Sequence, residues 1–183
     1  MLSDKSLDSQ KSRVIDMIGC VYWITGLSGA GKTTLARALQ KKLPGSILLD
    51  GDALRWALGC ETSAFDRDGR LVLAMTYARL CKLLAEQGQT VIIATISLFH
   101  EVHAWSKKNL PNYKEIYLDV PEAIRRHRDV KGLFAGEKRG EVTQMAGSTT
   151  EVDVPLRPNL TIGAELSVED AVAAILRIRT NGM

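Results

Sequence analysis

Short, nearly unbroken apolar runs alternate along the chain with longer stretches whose apolar positions recur every three to four residues. The runs CVYWIT (20–25), SILLD (46–50), TVIIATI (90–96), EIYLDV (115–120) and NLTIG (159–163) predict strands. Between them the spacing predicts helices near 32–43, 70–87, 100–109, 121–128 and 167–179. In the second of these, Leu71, Met75, Ala78, Leu80, Leu83 and Leu84 fall at helical spacing, and Gly88 supplies a stop. Strands covered on both faces read as continuous apolar runs, as VIIATI does. The alternation therefore predicts an α/β domain, a five-stranded, mainly parallel sheet with helices on both faces. Residues 131–158 break the rhythm with Gly, Thr and charge, and a loop of that length predicts a lid or binding loop. Residues 1–19 are polar and predict an N-terminal arm ahead of a domain over 20–183.

Composition narrows the setting. The 183 residues are enough for one domain with a real core, and 45% hydrophobic with 25% charged residues is ordinary for a globular protein. The net charge of +3 is mild, with no Lys/Arg block, which suits a small anionic ligand better than nucleic acid. No run approaches a membrane span and the first residues are too polar for a signal peptide, so no membrane partner is expected. Cys20, Cys60 and Cys81 are odd in number and widely spaced, which argues against a disulfide framework or zinc site and predicts a reducing, cytoplasmic setting.

The strongest chemical signal is GLSGAGKT, residues 26–33, a full G-x-x-x-x-G-K-[ST] between a strand and a helix. Such a phosphate loop lets the backbone N–H groups of Gly26, Leu27, Ser28, Gly29, Ala30, Gly31, Lys32, Thr33 and Thr34 wrap a polyphosphate at a helix N-terminus. Lys32 is placed to reach the β and γ phosphates, and the Thr33 hydroxyl to ligate Mg²⁺. The expected fold is thus that of phosphate-loop NTPases, with ATP and Mg²⁺ as cofactors. A GTPase is excluded by context: the D-x-x-G of residues 66–69 follows no strand, and no N-K-x-D occurs. A helicase or transporter ATPase would be larger, which leaves a small-molecule kinase.

LDGDALR (49–55) supports that reading, because Asp50 and Asp52 leave the end of an apolar strand, where an open parallel sheet forms its ligand crevice. A hydroxyl acceptor in phosphoryl transfer needs a carboxylate to orient it or take its proton. Asp52 also reads as an N-cap for the short helix ALRWAL, and the two roles can coexist. Asp66 and Asp68 read as capping and charging the start of the 70–87 helix.

GLSGAGKTTLA, LDGDALR, a strand ending in TIS, and RDVKGLF ahead of the lid together resemble the adenylylsulfate kinase family, with spacing that agrees from about Val21 to Leu176. The resemblance implies transfer of phosphate from ATP to the ribose 3′-hydroxyl of adenosine 5′-phosphosulfate, and a homodimer. By position it implies Asp52 at the 3′-hydroxyl and Asp50 near the metal, with Lys32 completing the catalytic set. Arg55 and Arg67 would hold the acceptor's anionic end, while Ile96 and Ser97 would line its site. Lys131 and Gly132 would form the lid hinge, and Leu133 would add to the pocket. Arg128 and Lys131 would otherwise be a solvated helix face. The DGD and RDVKG elements argue against a non-catalytic nucleotide-sensing module.

The chain departs from the family pattern on the acceptor side. Where the family has D-R-x-x-N-[IV]-R-R, this chain reads DRDGRLVL (66–73), so Arg70 stands at the Asn position and Val72 and Leu73 at two basic ones. Met145 falls where the family's lid carries a base-stacking aromatic, and ISLF (96–99) replaces I-S-P-Y. Adenosine 5′-phosphosulfate is the leading acceptor on the resemblance. The alternative is another nucleotide anhydride such as cytidine diphosphoramidate, whose smaller ring suits a pocket without an aromatic platform.

Overall fold

The computed structural model describes residues 18–60, 66–128, 136 and 151–178. Five strands form one sheet: β1 (Cys20–Gly26), β2 (Ile47–Asp50), β3 (Thr90–Thr95), β4 (Tyr113–Asp119) and β5 (Leu160–Gly163). They are ordered β2-β3-β1-β4-β5 and every pairing is parallel. The helices are α1 (Lys32–Lys42), α2 (Gly51–Ala57), α3 (Arg67–Ala85), α4 (His100–Asn109), α5 (Glu122–Arg128) and α6 (Val168–Leu176). This is the fold of phosphate-loop NTPases.

Successive strand residues point to opposite faces, so each apolar run serves two cores. Tyr22, Ile24, Ile92 and Ala94 pack under Leu35 and Leu39 of α1 and Val172 and Ile175 of α6. Val21, Trp23, Val91 and Ile93 pack under Leu73, Tyr77 and Cys81 of α3 and Val102 of α4. The chain leaves β1 toward one edge of the sheet and β4 toward the other, so their carboxyl ends border the crevice where such sheets bind ligands. Gly26 lies beside Leu118 in the register, which puts the phosphate loop at that crevice.

Element boundaries differ from the sequence pattern for local reasons. α3 starts at Arg67 rather than 70, because the Asp66 side chain accepts from Gly69 N at 2.8 Å and caps it there. It stops near the expected Gly88, whose φ of 82° an L side chain rarely adopts. β4 begins at Tyr113, earlier than its apolar run. Lys114 hides in the strand by donating to Tyr22 Oη at 3.1 Å with its ammonium over the Tyr22 ring. The cap of α2 is Asp50 rather than Asp52: its carboxylate accepts from Asp52 N at 3.0 Å. Among the described residues no helix is long and apolar enough to cross a membrane, and Cys20, Cys60 and Cys81 are free thiols. Of the expected arm only residues 18 and 19 are described, and of the expected lid only 136 and 151–158.

Candidate active site

The phosphate loop gains its shape from two left-handed glycines. Gly29, at φ 78°, runs so close to α5 that an added Cβ would stand 3.0 Å from the Arg125 carbonyl oxygen. Gly31, at φ 99°, is the N-cap of α1 and provides no capping side chain. No capping side chain competes with an anion at the start of α1, where the helix dipole favours negative charge. Ser28, Gly29, Ala30, Gly31, Lys32, Thr33 and Thr34 line a cavity of about 410 Å³, together with Asp50, Asp52 and Arg128. Its far wall is apolar, from Leu118, Val120, Ile162, Leu166 and Val168.

Two expected loop residues do not line this cavity. Gly26 closes β1 tightly against the Leu118 carbonyl, and Leu27 supplies the carbonyl oxygen to which Lys32 Nζ donates at 2.8 Å. Thr33 Oγ1 donates to Asp50 Oδ2 at 2.6 Å, so hydroxyl and carboxylate meet at the end of β2. This pair of hard oxygen donors fits Mg²⁺, which takes one or two protein oxygens and completes its shell with phosphate and water. Among the described residues no group of three or more His, Cys, Asp or Glu side chains could hold a metal alone, so the ion's other ligands would be phosphate and water.

A second cavity, of about 110 Å³, adjoins the first, and Gly51, Asp52, Thr95 and Ile96 line both. Arg55, Arg70, Leu73, Tyr77, Ser97, Phe99 and Glu151 are among the other residues of its walls. Arg55 Nη1 donates to Cys60 O at 3.0 Å, and Arg70 Nε to Asp66 O at 3.3 Å. Burial, then repulsion from Arg55, lowers the basicity of Arg70. Burial pushes the Tyr77 phenol up to about 12, so it stays a neutral donor and holds Gly51 O at 3.2 Å. Ser97 is buried at φ 29°, a strained conformation for a serine, and its Oγ lies 2.8 Å from Thr95 Oγ1. His103 Nε2 meets Ser97 O at 3.0 Å, and since a carbonyl only accepts, that nitrogen carries the proton. Burial lowers the His103 pKa, which keeps the ring neutral in this role.

The structure thus brings Asp52, Arg55, Arg70, Ile96 and Ser97 together. It does not bring Arg67 to the lining: that guanidinium sits 3.5 Å from Asp153 Oδ2 and 3.9 Å from Glu101 Oε1, over the Phe99 ring. Lys131, Gly132, Leu133 and Met145 lie outside the described residues.

Sequence reasoning missed Arg125, which is only 5% exposed. Its Nε donates to Val120 O at 3.0 Å and its Nη1 to Ser28 O at 3.3 Å, so it ties α5 to the phosphate loop. Arg128, for which a solvated helix face was the alternative reading, lines the first cavity, with Nη1 3.5 Å from Ala30 O. No local pattern separates Arg125 from an ordinary helix-surface arginine, whereas Arg128 opens the RDVKGLF motif. Arg125→Ala is expected to destabilise the fold by about 2 kcal/mol, since it strips charged donors from buried carbonyls. The same change should weaken binding of a non-hydrolysable ATP analogue roughly tenfold as the loop loosens. Denaturant unfolding and analogue titration read the two effects.

A phosphate loop at the sheet crevice, a strand-end carboxylate pair and an adjoining cationic cavity define a phosphate-loop phosphotransferase. The sequence pattern of the adenylylsulphate kinase family matches residues 18–163, and the chain belongs to that family. It is 43% identical over 141 residues to the cytidine diphosphoramidate kinase of Campylobacter jejuni, covering 74% of this chain and 81% of that one. It is 38% identical over 165 residues to the adenylyl-sulfate kinase of Deinococcus deserti, covering 86% and 90%. Among solved structures, the APS kinase of Mycobacterium tuberculosis in complex with AMPPNP and APS superposes with a TM-score of 0.81. The identity there is 28%, over 88% of this chain and 97% of that one.

Proposed function

We propose that this chain is an ATP-dependent kinase acting on the ribose 3′-hydroxyl of a small nucleoside 5′-anhydride. The observation that carries the reading is the shared wall, in which Asp52 borders both the phosphate-loop cavity and the cavity holding Arg55 and Arg70. A donor in the first and an acceptor in the second would meet at its carboxylate.

The triphosphate lies at the N-terminal N–H groups of α1, and the donor base packs on Leu118, Val120, Ile162 and Val168. Lys32 turns from Leu27 O to the β and γ oxygens. Thr33 and Asp50 would hold Mg²⁺, which would supply neutralising charge for phosphoryl transfer. Asp52 orients the 3′-hydroxyl and takes its proton as the new O–P bond forms and the bond to the departing ADP breaks. Arg55 and Arg70 hold the anhydride, with Arg67 beside them on Phe99. On the family resemblance, Lys131, Gly132, Leu133 and Met145 are assigned to acceptor binding. Most of the acceleration comes from positioning and preorganised charge.

Between the two acceptors, we place cytidine diphosphoramidate ahead of adenosine 5′-phosphosulfate, reversing the order implied by the resemblance. Identity to the cytidine diphosphoramidate kinase is higher than to the adenylyl-sulfate kinase, at 43% against 38%. The residue that replaces the family's Asn, Arg70, also lines the second cavity. The test is ADP release from ATP with each acceptor and with simple nucleotides, and the position of the new phosphate read by ³¹P NMR. Turnover of cytidine diphosphoramidate at the 3′-hydroxyl is expected to be fastest. Faster turnover of adenosine 5′-phosphosulfate would restore the first order, and phosphorylation elsewhere would overturn the reading. The free cysteines support a cytoplasmic setting and the family resemblance a homodimer, the latter checked by molecular mass in solution.

A further inference from the structure

Arg70 enters the second cavity from the first turn of α3 with part of its planar fork unused. Its Nε is engaged by Asp66 O, but its Nη2 is sealed from solvent and has no hydrogen-bond partner among the described residues. A buried charged donor without an acceptor is costly, and the cost is relieved when a ligand supplies the oxygen. Arg55 lines the same cavity, and the two guanidiniums repel until an anion lies against them. The lining is not purely cationic, because Glu151 contributes a carboxylate and Asp52 stands at the junction with the first cavity.

That mixed wall suits one kind of terminal group better than another. A phosphoramidate monoanion spreads one charge over two oxygens and carries an N–H donor. A sulfate spreads one charge over three oxygens and carries no donor. Phosphoramidate oxygens are therefore the stronger acceptors for a desolvated guanidinium. The nitrogen can donate to a carboxylate such as Glu151, which a sulfate would only meet as a like charge. With the reacting hydroxyl at the Asp52 junction, the anhydride extends away from the phosphate loop toward Arg55 and Arg70.

We propose that Arg70 is a specificity-determining residue: its guanidinium, tethered only by a long Nε contact to Asp66 O, turns to bring the sealed, unpartnered Nη2 into the cavity, where it takes an oxygen of a terminal phosphoramidate in preference to one of a sulfate. This rests on the proposed 3′-kinase reading and specifies its acceptor class.

Wild type, Arg70→Asn and Arg70→Lys are compared by kcat/KM for cytidine diphosphoramidate and adenosine 5′-phosphosulfate. Arg70→Asn is expected to lower the ratio of the two values at least about tenfold, with KM for ATP held within about twofold. Arg70→Lys keeps charge but loses the fork, so its ratio should fall too. An unchanged ratio in both variants overturns the proposal. A second readout needs no turnover: thermal stabilisation by inorganic pyrophosphate, measured with the phosphate loop saturated by a non-hydrolysable ATP analogue. Arg70→Asn should lose most of that stabilisation and Arg70→Lys part of it. If neither acceptor reacts with wild type, the 3′-kinase reading fails by itself. Equal stabilisation of wild type and Arg70→Asn then overturns the role of Arg70.

Discussion

Lys32→Ala is expected to lower kcat about a thousandfold or more with the protein still folded, the scale typical when a donor to developing charge is removed from a preorganised site. The lysine emerges at the first residue of α1, where the helix N-terminus already favours anions. Its Nζ is held on Leu27 O, a weak neutral partner compared with a polyphosphate. Exchanging that carbonyl for the β and γ oxygens puts the charge where negative charge moves as the terminal phosphoryl group departs. Alanine leaves the N–H groups of the loop in place, so the triphosphate still binds and the loss appears mainly in kcat. Steady-state ADP release under saturating acceptor measures it. A rate within a few-fold of wild type would remove the phosphate loop from the chemistry.

The parts of this site that the sequence displays are those built by contiguous residues. GLSGAGKT declares its loop because the glycines, Lys32 and Thr33 act through backbone geometry within eight positions. The apolar runs locate the strands because a sheet covered on both faces leaves no polar alternation. The carboxylates of LDGD were legible as a pair but not in their division of labour. Only the folded chain has Asp50 capping α2 and binding Thr33 while Asp52 stands at the junction of two cavities. Arg125 was illegible because its function arises from α5 packing on a loop far away in sequence. Arg67 was legible as a cation, but Asp153, far away in sequence, binds it, and no local pattern announces that. Tyr77 and Leu73 were readable as core positions of a helix; that they also wall a cavity follows from where α3 crosses the sheet.

Asp52→Asn separates the chemical role of that carboxylate from a structural one, and the cap assignment makes the separation clean. Because Asp50 accepts the N–H of residue 52, the cap of α2 is made through the residue 52 backbone. Asparagine is nearly isosteric, retains an acceptor oxygen to orient the hydroxyl, and cannot take up its proton. The expected result is a fall in kcat of about a hundredfold to ten-thousandfold, the usual range for loss of a positioned acid–base group. Affinity for a non-hydrolysable ATP analogue and the unfolding midpoint should stay close to wild type, since Lys32, Thr33 and Asp50 are untouched. Single-turnover phosphoryl transfer is the deciding measurement, because it isolates the chemical step from product release. An unchanged single-turnover rate would mean that the hydroxyl loses its proton elsewhere and that Asp52 only shapes the wall between the cavities. A matched loss of nucleotide affinity would instead place the residue on the donor side.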